Sequence, residues 1–186
     1  MLNLLESSRS AAMISASILA AAAILGAAQA ATDTIFRYST PRMGVFGIDN
    51  MALSPDGNDS LNYRNDWDSG LTPLTPGDDG CFSAGVHLPH GATITKLTVF
   101  YKSDPDFTVP TAYFLRKEFS SGDSQQVGFN ALPDSAMRTS NIVPLNAART
   151  TVNNNRYSYG FGICLENNGD TFYAARIVYT YEHAGD

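Results

Sequence analysis

The chain has 186 residues, of which 44% are hydrophobic, and a formal net charge of −6 at pH 7. This length is one domain's worth at the usual ~100–200 residues per domain, so the chain can bury a real core. The acidic balance argues against nucleic acid, which requires a basic stripe, and against binding to an anionic membrane surface.

Residues 1–30 have the three parts of a secretory signal peptide. Arg9 lies in a short polar start, an uncharged Ala-rich stretch follows it, and Ala28-Gln29-Ala30 supplies the small residues of a cleavage site. The stretch is about long enough for an uncleaved anchor at ~18 residues, but its hydrophobicity is modest and no basic stop-transfer cluster follows. We expect cleavage before Ala31, which leaves residues 31–186 as one secreted or periplasmic domain.

Beyond the signal peptide, apolar and polar residues alternate with the period of two that indicates β-strands. Short strands separated by turns at fairly regular intervals are typical of a sandwich or barrel. We therefore predict an all-β, antiparallel β-sandwich of about eight or nine strands. In chain order, the predicted strands span residues 34–39, 43–48, 81–88, 93–101, 111–119, 125–132, 141–145, 157–165 and 171–182.

The segment 54–80 differs from the rest, because it is dense in Asp, Asn, Gly and Pro. We interpret it as a loop, and one longer than a compact domain usually leaves without a purpose. Asp66, Asp68, Asp78 and Asp79 offer the hard oxygen ligands that calcium prefers. Asp, Asn and Gly are also common turn formers that stay solvated, and we favour this interpretation; no other cofactor is indicated.

Trp67, the one tryptophan, lies in the same segment. An exposed indole offers a flat apolar surface on which the face of a sugar ring can stack. Alternatively, the side chain folds back and seals the edge of the core with its large apolar area. We expect the second arrangement, and keep Trp67 as a candidate ligand-binding residue.

Cys81 and Cys164 are the two cysteines of the chain. Both fall on the small-residue face of a predicted strand, so a disulfide would tie two neighbouring strands across one face. An even cysteine count in an oxidising compartment favours the same bridge. Two buried free thiols, or one reactive thiol, are the alternatives. A bridge requires the two Cα atoms to lie within ~7 Å of each other.

The last two predicted strands flank Glu166-Asn167-Asn168-Gly169-Asp170. Asn-Gly commonly supplies the positive φ angles of a two-residue hairpin turn. We therefore expect these strands to pair with each other as a C-terminal hairpin.

Catalytic signatures are absent from the sequence. It contains no Gly-x-Ser-x-Gly elbow, and nothing marks a pair of carboxylates for glycoside hydrolysis. His87 and His90 flank Pro89 at a strand end, so we do not expect them to share a metal ion. No catalytic residue is assigned.

The run from Val86 to Tyr101 reads apolar-x-Leu-Pro-x-Gly-Ala-x-Ile, followed by an alternating strand that ends in tyrosine. Together with the closing runs 157–163 and 176–181, it resembles uncharacterised bacterial secreted β-sandwich domains over roughly residues 81–181. The resemblance implies a jelly-roll-like fold and export, and it carries no catalytic residues.

Three functions are compatible with these features. The first is a non-catalytic extracellular protein with a structural or interaction role, whose partner is a protein or a polysaccharide surface. The second is a carbohydrate-binding module that uses Trp67, with or without calcium. The third is a hydrolase of unrecognised type. Exposure of Trp67 on a concave face beside other aromatic residues would favour the second function over the first, whereas burial would remove its main residue, since a buried indole cannot stack on a sugar.

Overall fold

The alternating segments form two antiparallel β-sheets in a computed structural model of the protein, which describes residues 37–57, 62–75, 80–104 and 108–183. The predicted signal peptide, and with it the cleavage site, lies outside the described residues. The strands within them are β1 (Arg37–Asp49), β2 (Ser54–Pro55), β3 (Tyr63–Asp66), β4 (Gly70–Pro73), β5 (Gly80–Val86), β6 (Thr93–Lys102), β7 (Thr111–Glu118), β8 (Ser124–Ala131), β9 (Thr139–Val143), β10 (Tyr157–Leu165) and β11 (Thr171–His183).

The strand order is that of a jelly roll. Sheet A has the order β3-β4-β11-β6-β9, with β1 also paired to β11, and sheet B has the order β2-β5-β10-β7-β8. The four strands β1, β11, β6 and β9 thus face β5, β10, β7 and β8, the double-sheet arrangement of jelly rolls. The predicted fold class is confirmed. Two short 3₁₀ turns, Asn50–Ala52 and Ala147–Arg149, lie between strands, and no helix in the described ranges is long and apolar enough to span a membrane.

The core lies between the sheets and is built from alternate residues of each strand. Phe82, Phe114 and Phe161 of sheet B and Phe172 of sheet A are fully buried. The rings of Phe161 and Phe172 meet across the two sheets with their centroids 5.6 Å apart. Each such side chain stabilises the fold by roughly 1.5–3 kcal/mol relative to exposure in water.

The predicted disulfide joins Cys81 and Cys164, whose Cα atoms are 3.9 Å apart. The two residues are directly opposite each other in the antiparallel pair β5–β10. Their neighbours on the same face of β10, Gly160 and Gly162, are small, as the alternation indicated. Both the bridge and the pairing of these strands are confirmed.

The predicted C-terminal hairpin is wrong, because β10 pairs with β5 and β7 whereas β11 pairs with β1, β4 and β6. Residues 166–170 form a corner between the sheets. The Asp170 carboxylate accepts hydrogen bonds from the backbone N–H groups of Glu166 (2.8 Å), Asn167 (3.2 Å) and Asp104 (3.1 Å). The Asn-Gly pair lies in this corner, which the Asp170 side chain holds together. Gly169 does not take the positive φ that a hairpin turn needs.

The predicted long loop at 54–80 is also partly wrong, since β2, β3 and β4 lie within it. Strands β3 and β4 form a hairpin, and Leu71 of β4 pairs with Phe172 of β11 and is fully buried. The ring of Tyr63 packs edge-on against Phe82, with centroids 5.2 Å apart. These short strands, and the merging of the first two predicted strands into β1, account for the difference between the predicted count and the eleven strands among the described residues.

Candidate functional site

The β3–β4 hairpin is fixed to the body of the domain by two asparagines. Asn50, which is 4% exposed, donates from Nδ2 to Oδ1 of Asn65 (2.8 Å) and to the backbone oxygen of Asp66 (2.7 Å). Asn65 returns a bond from Nδ2 to the backbone oxygen of Asn50 (3.0 Å). This reciprocal amide pair satisfies buried polar groups, so it holds the hairpin in one position.

The turn between β3 and β4 is held by Asp66. Its Oδ1 accepts hydrogen bonds from the backbone N–H of Ser69 (2.7 Å) and from the Ser69 hydroxyl. These bonds favour the ionised form and lower the pKa of the Asp66 carboxyl. Gly70 closes the turn at φ +85°, where a Cβ would come within 2.6 Å of the Phe172 carbonyl oxygen. A side chain here would push the hairpin off sheet A.

Trp67 lies in this turn and is 74% exposed. The expectation that it seals the edge of the core is therefore wrong. The physical reason is that the Asn50–Asn65 pair and Leu71 already anchor the hairpin, which leaves its tip in solvent. We name residues 66–69 the Trp67 turn.

The candidate calcium ligands divide between described and undescribed residues. Asp66 and Asp68 lie in the Trp67 turn, whereas Asp78 and Asp79 lie outside the described residues. The second oxygen of Asp66, Oδ2, pairs with Arg64 at 3.5 Å. Among the described residues, no three His, Cys, Asp or Glu side chains are grouped to hold a metal ion.

A concave surface lies at the other end of the sandwich. It is a cleft of about 560 Å³ lined by Val86, His87, Leu88, Pro89, Phe119, Asn154, Tyr157, Ser158, Tyr159 and Tyr179. We name it the end cleft. Tyr179 is seven residues further along β11 than Phe172, which contacts the hairpin, so the two surfaces are roughly 20 Å apart at ~3.3 Å per residue.

The end cleft opens where β5 and β10 part. Val86 and Tyr159 form the last pair between these strands, and the chain then turns away at Pro89. Asn154 ties the two walls together, since its Nδ2 donates to the Leu88 carbonyl (2.9 Å) and its N–H donates to Nδ1 of His90 (3.0 Å). His90 thus has a structural role, while His87 lines the cleft.

Two arginine side chains contact the ring of Tyr157, which forms the aromatic side of the end cleft. The guanidinium of Arg116 lies 4.2 Å from the centre of the Tyr157 ring, and that of Arg156 lies 5.2 Å from it. Arg156 also pairs with Glu118 at 2.8 Å. The hydrogen bond from Arg156 lowers the pKa of the Glu118 carboxyl. Tyr157 is thereby held in place.

Tyr159 forms the floor of the end cleft. Its hydroxyl accepts a hydrogen bond from the Asn153 N–H (2.8 Å), and its ring stacks on Phe114 with centroids 6.2 Å apart. Burial raises the pKa of this tyrosine. It stays a neutral phenol with an apolar ring.

Binding suits the end cleft better than acid–base catalysis. Its lining residues include one imidazole, His87, and no carboxylate, whereas glycoside hydrolysis uses two carboxyl groups that flank the bond. Tyrosine rings, one imidazole, an amide and a hydroxyl are groups that hold a ligand by stacking and hydrogen bonding.

The sequence did not predict the end cleft, because its residues come from separate segments that each read as ordinary strand ends. One signal was present. Arg116 and Glu118 occupy positions of β7 that continue the core-facing series of Ala112 and Phe114. Charged residues at core-facing positions indicate that the sandwich is open at that end.

No protein-family model matches the chain, and no curated protein is similar to it in sequence. Solved structures share the fold at low similarity. The C-terminal CBM6 of LamC, a marine laminarinase from Zobellia galactanivorans, is 13% identical, with 72% of this chain and 98% of that chain covered and a TM-score of 0.43. The xylan-binding module CBM15 is 12% identical, with 78% and 99% covered and a TM-score of 0.45.

A cyclase from Fischerella sp. TAU is also similar, at 11% identity, with 85% of this chain and 93% of that chain covered and a TM-score of 0.34. Binding modules and an enzyme therefore both occur among the similar structures. At this level of similarity no function passes from them to this chain, and function has to be inferred from its own residues.

Proposed function

We propose that this protein is an extracellular saccharide-binding domain and that Trp67 is the residue on which the sugar stacks. The observation that supports this most is the 74% exposure of Trp67 on a hairpin held by the buried Asn50. Burial of an indole stabilises a fold through its large apolar area. A fixed hairpin that instead presents the indole to solvent is best explained by a ligand that covers it.

The residues beside Trp67 suit sugar hydroxyls. Asp68 is exposed, and its carboxylate can accept hydrogen bonds from hydroxyl groups at the rim of a stacked ring. The acidic turn disfavours anionic partners. An exported protein is consistent with the disulfide, since such bonds persist in oxidising compartments.

We further propose that this binding does not require calcium. Both carboxylate oxygens of Asp66 already have partners, Ser69 for Oδ1 and Arg64 for Oδ2. Binding should therefore persist when EGTA is added. A loss of binding in EGTA that added calcium restores would instead support the ligand set of Asp66, Asp68, Asp78 and Asp79.

The test uses Trp67 itself as the probe, because it is the one tryptophan in the chain. Soluble laminarin, xylan and mixed-linkage β-glucan are titrated while its emission is recorded. Stacking should shift the emission to the blue with at least one of them, and in calorimetry Trp67→Ala should lower the affinity or the number of sites for that glycan. Phe129→Ala is the matched control, since Phe129 is an exposed aromatic residue (46%) on another strand. Unshifted emission with every glycan would refute the proposal.

A second candidate function is self-association through the edge of sheet A. Strand β1 pairs with β11 on one side, and in the described residues no strand pairs with its other side. Met43 and Val45 on this strand are 73% and 56% exposed. Such an edge is a template for pairing with a second copy. Light scattering after gel filtration should then give a dimer that Val45→Lys converts to a monomer; a wild-type monomer at high concentration excludes this function.

A further inference from the structure

The end cleft contains hydrogen-bonding groups that the fold does not use. Within the described part of the chain, the imidazole of His87, the hydroxyl of Ser158 and the hydroxyl of Tyr179 make no hydrogen bond. His87 and Ser158 are exposed to solvent. The three residues that carry these polar groups line one cleft of about 560 Å³, a size within the ~300–1,000 Å³ of ligand sites, which makes the cleft a candidate binding site.

The charges around the end cleft are already engaged. Arg156 pairs with Glu118, and Arg116 donates two hydrogen bonds to Oε1 of Gln125, at 2.9 and 2.7 Å. The lining itself has neither a carboxylate nor a guanidinium or ammonium group. A charged ligand would lose hydration in the cleft without gaining an opposite charge, so an uncharged ligand fits best.

The aromatic rings of the end cleft favour a ligand that also has an apolar face. Tyr157 and Tyr159 are each 6% exposed and form the wall and floor, while Phe119 at the rim is 64% exposed. The backbone N–H of Phe119 donates to the Arg156 carbonyl (3.0 Å), which fixes the rim to the wall. A ligand with hydroxyl groups at its edge and C–H groups on its face matches this combination of rings and polar atoms.

We propose that the end cleft is a second binding site, specific for a neutral saccharide and independent of Trp67. The class of ligand rests on the proposed function, whereas the location and the preference for an uncharged ligand rest on the end cleft alone. The protein then has two sites at opposite ends of the sandwich, one on a convex hairpin and one in a concave cleft.

The test starts from Trp67→Ala protein, in which the hairpin site is removed. Neutral hexasaccharides of the laminarin, xylan and cellulose series are titrated by calorimetry, with hexagalacturonate as the charged probe. At least one neutral probe should bind, and hexagalacturonate should not. Phe119→Ala and His87→Ala should each weaken the binding by about tenfold, as expected for residues central to a site. Phe129→Ala, on a different edge, should leave it unchanged.

The outcomes separate this proposal from the proposed function. If Trp67→Ala abolishes all binding, the end cleft is not a saccharide site, and the role of Trp67 stands. If neutral probes bind wild-type protein without shifting the Trp67 emission, and Phe119→Ala weakens that binding, the end cleft is the site and the role of Trp67 is wrong. Binding of hexagalacturonate alone, or no binding to Trp67→Ala protein at millimolar probe, overturns the proposal. Circular dichroism of each variant checks that it folds.

Discussion

The Trp67 turn and the end cleft are built by opposite means. The turn projects an aromatic ring into solvent and is held from below by hydrogen bonds of Asn50, Asn65 and Asp66. The end cleft encloses its rings and is held from behind by the cations of Arg116 and Arg156. Aromatic content alone therefore does not locate a site; the polar residues that fix the rings distinguish an exposed platform from a lined cavity.

The two regions also differ in their relation to the disulfide. The Cys81–Cys164 bridge closes a loop with a sequence separation of 83. All residues of the end cleft except Tyr179 lie inside this loop, and the Trp67 turn lies outside it. Among substitutions that affect either region, replacement of the two cysteines should therefore have the largest effect.

Replacement of both cysteines by alanine should lower the free energy of unfolding by about 4.5 kcal/mol, the chain-entropy value for a loop of this length. Urea unfolding followed by circular dichroism measures the loss. Emission of Trp67 in the same titration shows whether the hairpin unfolds with the rest. Coincident transitions would make the hairpin part of the same cooperative unit; an unchanged midpoint after the replacement would contradict the role of the bridge.

Asn50→Ala should affect the hairpin and spare the end cleft. The substitution removes two donors and leaves Oδ1 of Asn65 and the Asp66 carbonyl without partners, a cost of about 2–3 kcal/mol for buried polar groups. The hairpin should become mobile, which lowers the fluorescence anisotropy of Trp67. Oligosaccharide binding in the end cleft should not change. An unchanged anisotropy would show that Leu71 and Tyr63 suffice to hold the hairpin.

Two carboxyl groups, one near the Trp67 turn and one near the end cleft, should make contributions to folding stability that depend on pH in opposite directions. Asp170 lies at the corner that leads into β11 at the hairpin end, and burial raises its pKa above 3.8. The folded state therefore binds its proton more tightly than the unfolded state does. Its contribution to stability is full at low pH and is lost as pH rises through the raised pKa. The advantage of wild type over Asp170→Asn in urea unfolding should shrink across that window.

Glu118, behind the end cleft, should show a smaller effect of the opposite sign. Its pKa is lowered below 4.5 by the hydrogen bond from Arg156. Its contribution is therefore full above the ordinary pKa and is lost as pH falls through the lowered value. Because the Arg156 side chain is 58% exposed, the difference between wild type and Glu118→Gln should be small and should decrease with salt. A difference that salt leaves unchanged would contradict a pair that solvent screens.

Residue alternation predicted most of the fold, since inward and outward positions depend on neighbours along the strand. The disulfide followed from the same pattern, because both cysteines share a face with glycine and serine. The order of strands did not follow. The Asn-Gly signal at 168–169 is local, whereas the corner between the sheets is held by the Asp170 carboxylate, which also accepts a hydrogen bond from the backbone of Asp104, 66 residues away in sequence.

The sites were harder to predict for the same reason. Exposure of Trp67 depends on the contact between Asn50 and Asn65, which are 15 residues apart and lie in segments with no apolar pattern. The end cleft depends on four separate segments that meet only in the folded chain. The sequence did single out Trp67, because a lone tryptophan in a polar segment is unusual, but it could not decide which way the indole faces.

The position of the disulfide has a consequence for how the domain withstands proteolysis. The connections between β6 and β7, β7 and β8, β8 and β9, and β9 and β10 all lie between Cys81 and Cys164. A protease that cuts any one of them breaks the chain but releases no fragment, because the bridge still links the two pieces covalently. Both sheets then stay joined, and the cut domain keeps the Trp67 turn and the end cleft on one molecule.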